Sequence, residues 1–309
     1  MQQSERSRGA QLTSRPALAA ALGAGCIAFS GILVRLATVS PDTAAVFRCL
    51  YALPALGLIA WLERKRYGPG ASRERRIAFL AGVFFAIDLI FWHRSIVEVG
   101  AGLATVLGNL QVVFVGLTAW LLLGERPSTR LFLAVPVVLV GIVLISGTLE
   151  EGAYGRDPTM GTVYGVLTAL AYTAFVLLLR RANRDIRRPA GPLFDATLSA
   201  FFVCVLGGWL LRDLDPLPDP EAQAWLVTLA LTSQVAGWLL ISVSLPRLPA
   251  AVTSVVITLQ PVGAVFLAML LLDEAPSGLQ LGGVALVLAG VVAVGLGHRR
   301  PVPVPEPAG

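Results

Sequence analysis

The feature that most constrains this chain is a succession of ten apolar stretches, separated only by short charged or Pro/Gly-rich gaps. A membrane-spanning helix needs about 20 apolar residues, rising ~1.5 Å each, to cross roughly 30 Å of hydrocarbon. The stretches fall at about 17–38, 43–62, 77–97, 101–123, 129–148, 161–180, 193–211, 224–245, 250–272 and 278–297. Only 14% of the 309 residues are charged, against roughly a quarter in soluble domains. The expectation is an all-α integral membrane protein. The first stretch follows Arg6, Arg8 and Arg15 in the manner of a signal peptide. It is longer than a signal core and more spans follow, so it is expected to stay as a helix.

Loop charge gives an orientation. Basic residues gather in the N-terminal segment, in ERKRYGPGASRERR, in ERPSTR, in RRANRDIRR and beside the C-terminal tail. The loops between, 149–160 and 212–223, are acidic, with only Arg156 and Arg212 as cations. The positive-inside trend then puts both termini in the cytoplasm of a multi-pass protein of the inner membrane. Because the net charge of +5 is spent on these loops, nucleic acid is not expected as a partner. Membrane lipid is.

The octet LLLGERPS (Leu121 to Ser128) returns as LLLDEAPS (Leu270 to Ser277), 149 residues later. In the same ungapped frame Gln111 matches Gln260, Gly141 matches Gly290 and Ser95 matches Ser244. Five spans per half is an odd number, so the second half enters the membrane from the opposite side. Inverted repeats of this kind are a common construction of secondary transporters. The expected organisation is a cytoplasmic segment 1–16, a first five-helix repeat 17–148, an outer linker 149–160, a second repeat 161–297 and a disordered Pro-rich tail 298–309.

These ten spans, the five-plus-five duplication and the GERPS pattern resemble the drug/metabolite transporter superfamily, EamA type, over about residues 17–298. The resemblance implies an inner-membrane carrier of amino acids, other metabolites or drugs, with its cavity between the two halves.

Residue chemistry then nominates a site. A charge at mid-bilayer costs at least ~2.5 kcal/mol, so it generally faces a cavity or a partner. Asp88 lies near the middle of the third span, with Trp92 and Ser95 on the same helical face. It is the candidate for proton coupling or for holding a substrate ammonium. The bland alternative is a structural ion pair. Arg35, Arg48 and Arg94 oppose the positive-inside trend. Arg48 is the cavity candidate, and the family often has an arginine at this place. Arg35 is expected to snorkel, Arg94 to pair with Glu98 or a lipid phosphate, and His93 to sit at the interface. Thr105 and Asn109 share a face of the fourth span with Gly116. Thr258 lies in the matching stretch of the ninth span, where Gln260 echoes Gln111. Tyr164, Thr168 and Tyr172 recur on the sixth span, Gln234 and Trp238 on the eighth. Such stripes also serve ordinary helix packing in lipid. Glu125 and Glu274 are expected to cap the helices that follow them, or else to hold gates closed by pairing with loop arginines. Pro261 is a candidate hinge.

Enzyme motifs are missing. H-E-x-x-H, G-x-S-x-G and the P-loop do not occur, and GAGLATVLG (Gly100 to Gly108) lacks dinucleotide-loop spacing. Cys26, Cys49 and Cys204 give neither a disulfide framework nor a metal spacing. No cofactor is expected. The expected function is alternating-access efflux of a small metabolite, an amino acid or related compound, with protons as the candidate coupling ion. Broad drug efflux, a non-transporting sensor and an intramembrane enzyme are the alternatives, and a homodimer through Gly/Ala stripes stands beside a monomer.

Overall fold

A computed structural model describes residues 16–123, 129–185, 187–244, 248 and 250–295. Glu125 and the rest of GERPS therefore lie outside the described residues. Those described form helices and connections, without strands. In chain order the helices are α1 (Pro16–Ala28), α2 (Ser30–Ala37), α3 (Pro41–Tyr67), α4 (Ser72–Val99), α5 (Ala101–Gly108), α6 (Gln111–Leu123), α7 (Thr129–Ile145), α8 (Pro158–Ala182) and α9 (Ala190–Leu211). There follow α10 (Pro220–Leu229), a π-helical turn (Ala230–Gly237), α11 (Trp238–Ser244), α12 (Ala250–Leu271) and α13 (Gly278–Gly295).

Among the described residues, eight helical segments are long and apolar enough to cross a membrane. They are Pro16–Ala37, α3, α4, Ala101–Thr118, α8, α9, Pro220–Ser244 and α13. Thr129–Ile145 and Thr258–Leu271 are shorter apolar helices.

Three helices start earlier than their apolar windows because a cap and a proline extend them. Ser40, Asp157 and Asp219 each accept the N–H three residues on, and each is followed by Pro. A side-chain oxygen satisfies an orphan donor there, and proline fits the first turn, where its missing N–H is no loss. At the other end α3 runs on through Arg64, Lys65 and Arg66, and α4 begins at Ser72. Charged residues are good helix formers wherever water can reach them.

Pro54, Pro136 and Pro261 lie inside uninterrupted helices. The interruptions fall instead at Phe29, at Asn109–Leu110 and in the π turn. Each adjoins the middle of the bundle. A π turn shifts the side chains beyond it and frees local backbone groups.

Helices from the two halves of the chain pack on each other: α3 on α9, α4 on α8, α5 on α12, α7 on α13, and α1 with α2 on α10 through α11. Asp42 of α3 abuts Gly208 of α9, while Glu63 at the far end of α3 meets Ala190, so this pair is antiparallel. Glycines permit the close approach. A Cβ on Gly141 would lie 2.8 Å from the Gly283 carbonyl, and one on Gly82 would overlap the Ala196 carbonyl. With no solvent difference between lipid and side chain to drive association, contact of this closeness is what holds such helices together.

Candidate functional site

A cavity of about 70 Å³ lies where the interrupted helices meet. Arg48 from α3, Asp88 and Trp92 from α4, Thr105 from α5, Asn109 from the break that follows it, Tyr172 from α8 and Trp238 from α11 all line it. These come from both halves of the chain. Phe85 and Asp88 stand three residues apart and Asp88 and Trp92 four, so one face of α4 supplies three walls.

Arg48 is 4% exposed and Asp88 7%. The Arg48 Nε donates to Gln234 Oε1 at 3.1 Å, and Gln234 Nε2 donates to Thr197 Oγ1 at 3.2 Å. Gln234 thus stands behind Arg48 and aims it, held by the π turn. It does not line the cavity. The guanidinium carbon lies 5.6 Å from the centre of the Trp92 ring, a cation–π distance. Among the described residues Arg48 and Asp88 form no ion pair, and the Asp88 carboxylate accepts no hydrogen bond. Thr168 Oγ1, on the cavity wall, is buried without a hydrogen-bond partner among the described residues.

One side of the cavity is aromatic. Phe85 stacks on Phe175 with centroids 4.5 Å apart, and Trp238 meets Phe175 edge-on at 5.3 Å and Tyr172 at 6.0 Å. The arrangement brings a guanidinium, a carboxyl, a hydroxyl and π faces to one cavity of about 70 Å³.

Several expectations need correction. His93 is fully buried, its Nδ1 3.1 Å from the Pro41 carbonyl at the first turn of α3. Arg94 pairs with Asp42 at 3.0 Å and not with Glu98, because α3 and not its own helix turn supplies the nearest carboxylate. Glu98 instead takes Arg156 of the acidic loop. Gly116 faces Leu131 of α7, away from the cavity. Thr258 is not on the wall, whereas Gln260 is. Phe85, Ser30, Thr168 and Gln260 also line the cavity. The i−3 spacing of Phe85 from Asp88 was a usable signal; Ser30 had none, since its position follows from the break at Phe29.

Glu274 caps neither the helix that follows it nor a loop arginine. At the C-terminus of α12, Asp273 adopts φ 53° and the Glu274 N–H returns to the Ala268 carbonyl, a left-handed helix end. This turn sends the Glu274 side chain across to the other half of the molecule. Its carboxylate accepts the Ala101 N–H at 2.6 Å and the Gly102 N–H at 3.1 Å, at the N-terminus of α5. Burial pushes this carboxyl above the ordinary range, while the two N–H donors and Arg35 pull it back. Helix α13 is capped by Ser277, whose Oγ accepts the Gln280 N–H at 3.1 Å.

A larger cavity of about 450 Å³ opens at the arginine-rich end. Its charges already tie the two halves together: Arg75 to Asp195 at 3.1 Å, Arg188 to the Gly68 carbonyl at 3.0 Å, and Glu63 to the N–H groups of Ala190 and Gly191. That makes it a poorer candidate for cargo than the central space.

Residues 14–147 and again 159–296 match the EamA-like transporter family. An uncharacterized transporter of Bacillus subtilis (strain 168), YwfM, is 20% identical over 263 residues, covering 84% of this chain and 86% of its own. A solved crystal structure superposes with a TM-score of 0.60 at 17% identity, over 93% of this chain and 99% of its own.

Proposed function

The chain belongs to the EamA-like transporter family, multi-pass membrane transporters of small molecules, and on that premise we propose that it carries a small zwitterion, an amino acid or close relative, out of the cell. The observation that carries this reading is the unpaired guanidinium of Arg48 and the unpaired carboxylate of Asp88 on one small cavity. Two buried opposite charges would ordinarily pair, because each alone is costly to desolvate. Held apart, they suit a ligand that brings both missing partners. Arginine takes a carboxylate bidentately. Asp88 takes the ammonium, with the Trp92 and Trp238 rings as further cation acceptors.

Transport proceeds by alternating access of two inverted five-helix repeats, 17–148 and 161–297, across ten spans of the inner membrane, with both termini cytoplasmic. The two family matches and the pairing of helices across the halves support this. Asp88 is the candidate proton site, and Pro261 a candidate hinge. Because Arg48, Asp88 and Thr105 come from the first half and Tyr172 and Trp238 from the second, rocking one half against the other would open the site and release the cargo.

The aromatic side of the cavity also suits an apolar organic cation, the broad drug-efflux reading. The two differ at Arg48, which a cationic drug does not need. The test is counterflow of a labelled amino-acid and drug panel in proteoliposomes, with and without a pH gradient. For the zwitterion, Arg48→Gln and Asp88→Asn are each expected to lower flux by roughly 10- to 100-fold, the worth of a charged hydrogen bond. Drug flux retained or raised in Arg48→Gln, with no amino-acid flux in the wild type, would replace this reading with the second.

A further inference from the structure

We propose that Glu274 is the latch of the gate at the acidic end, a carboxylate whose release from the α5 N-terminus opens the cavity to that side. The proposal rests on the reading of this chain as an alternating-access carrier.

Four observations carry it. Glu274 follows α12 in the second half of the chain, while α5 belongs to the first, so the contact spans the halves that would have to separate. The backbone is shaped around the carboxylate. Gly100 adopts φ +91°, and a Cβ there would lie 2.8 Å from Glu274 Oε2. A Cβ on Gly102 would lie 3.0 Å from Val265 Cα and 3.4 Å from Glu274 Oε2. No side chain other than glycine's hydrogen would leave the seat open.

The latched element also leads directly to the cavity. Thr105 lies one turn beyond Ala101, and its Oγ1 donates to the Ala101 carbonyl at 2.8 Å; Asn109 Nδ2 donates to the Thr105 carbonyl at 2.8 Å. Both side chains line the cavity. Finally, α5 has only eight residues and ends at the break at Asn109–Leu110. The break, bridged by short-range backbone hydrogen bonds, is the place where α5 would change its angle to α6.

Glu274 is 2% exposed, with neutral N–H groups as its carboxylate's hydrogen-bond partners. The charged and titratable groups facing it are Arg35 from α2 and Tyr154 from the acidic loop. An ionised carboxylate at a helix N-terminus gains from both the donors and the dipole. Protonation removes most of that gain, so a proton taken from the acidic side would loosen the latch. This links proton entry to opening on the same face.

The experiment reads access directly and needs no substrate. Thr105→Cys is placed in the full chain in vesicles, and a membrane-impermeant maleimide is added to each side in turn, with modification at position 105 read by mass spectrometry. With Glu274 intact, labelling from the acidic side, divided at each pH by the rate for a free thiol such as glutathione so that the falling thiolate fraction cancels, is expected to be slow at pH 7.5 and to rise as pH falls to 5. Glu274→Gln, which keeps the shape and loses the charge, is expected to raise the rate at pH 7.5 at least about tenfold and to flatten its pH dependence. Glu274→Asp, which retains the charge, should remain closer to the parent. Glu274→Ala should label fastest; should it fail to fold, the Gln variant still decides. Equal rates and equal pH profiles for Glu and Gln overturn the latch. Counterflow on wild-type vesicles prepared alongside keeps the two readings apart: a wild type that moves no amino acid overturns the substrate assignment, while the labelling ratio still decides the latch.

Discussion

At the acidic end of the bundle, Asp42 holds Arg94 at 3.0 Å, Glu98 holds Arg156, and Glu274 is seated on two helix N–H groups. In the cavity, Arg48 and Asp88 face the same space with no ion pair between them. The two regions are built from the same residue types, with carboxylates buried in both, although Arg94 and Arg156 reach further toward solvent than Arg48 does. They differ in whether the protein completes its own charges. Where partners are supplied within the chain, ionic groups join helices. Where they are withheld, the groups remain available to a ligand, and the cost of desolvation is carried until one arrives. Buried charge by itself therefore says little about function; incomplete buried charge says much more.

The comparison can be broken or sharpened by mutation. The largest effect on stability is expected at the completed end. Asp42→Asn leaves Arg94 without its buried partner and should cost roughly 2–4 kcal/mol, as breaking buried pairs does, read as a lower thermal midpoint in detergent. Asp88→Asn should do the reverse, leaving the thermal midpoint unchanged or raised while transport falls, because it removes an uncompensated charge. A loss of stability at Asp88→Asn equal to that at Asp42→Asn would end the distinction and make Asp88 a structural residue. The smallest effect is expected at Asp185, a half-buried carboxylate between α8 and α9 whose partner Arg187 is exposed. Hydrogen bonds from Arg187 hold its pKa below the ordinary value of 3.8. Its stabilising contribution is present above that ordinary value and fades as pH falls through the lowered one. Asp185→Asn should therefore lower the thermal midpoint slightly at neutral pH, with no change in the effect between pH 6 and 8, and an exposed pair of this kind is worth little.

Much of the architecture was legible beforehand because hydropathy is a local property. A run such as 193–211 declares itself helical and lipid-compatible without knowledge of its neighbours. The cavity was partly legible for the same reason. Asp88 and Arg48 are conspicuous in apolar surroundings, and Trp92 follows Asp88 at helical spacing. Thr258 was placed by repeat symmetry alone, and the wall is built from Gln260 instead. Arg94 was paired with the nearest acid along its own helix, Glu98, although its partner in space is Asp42, on α3.

The sequence by itself determined the helical, membrane-embedded class, the duplication offset and the family, since each depends on composition within a window or on self-similarity along the chain. Only the tertiary structure decided which charges are satisfied. Glu274 meets Ala101 across 173 positions of chain, and Arg48 meets Gln234 across 186. Such partners are chosen by how helices dock, and docking here depends on glycine-permitted close approach and on breaks at Phe29, Asn109–Leu110 and the π turn. No local pattern specifies these, because a hydrogen bond's worth depends on the burial and geometry that the assembled helices create.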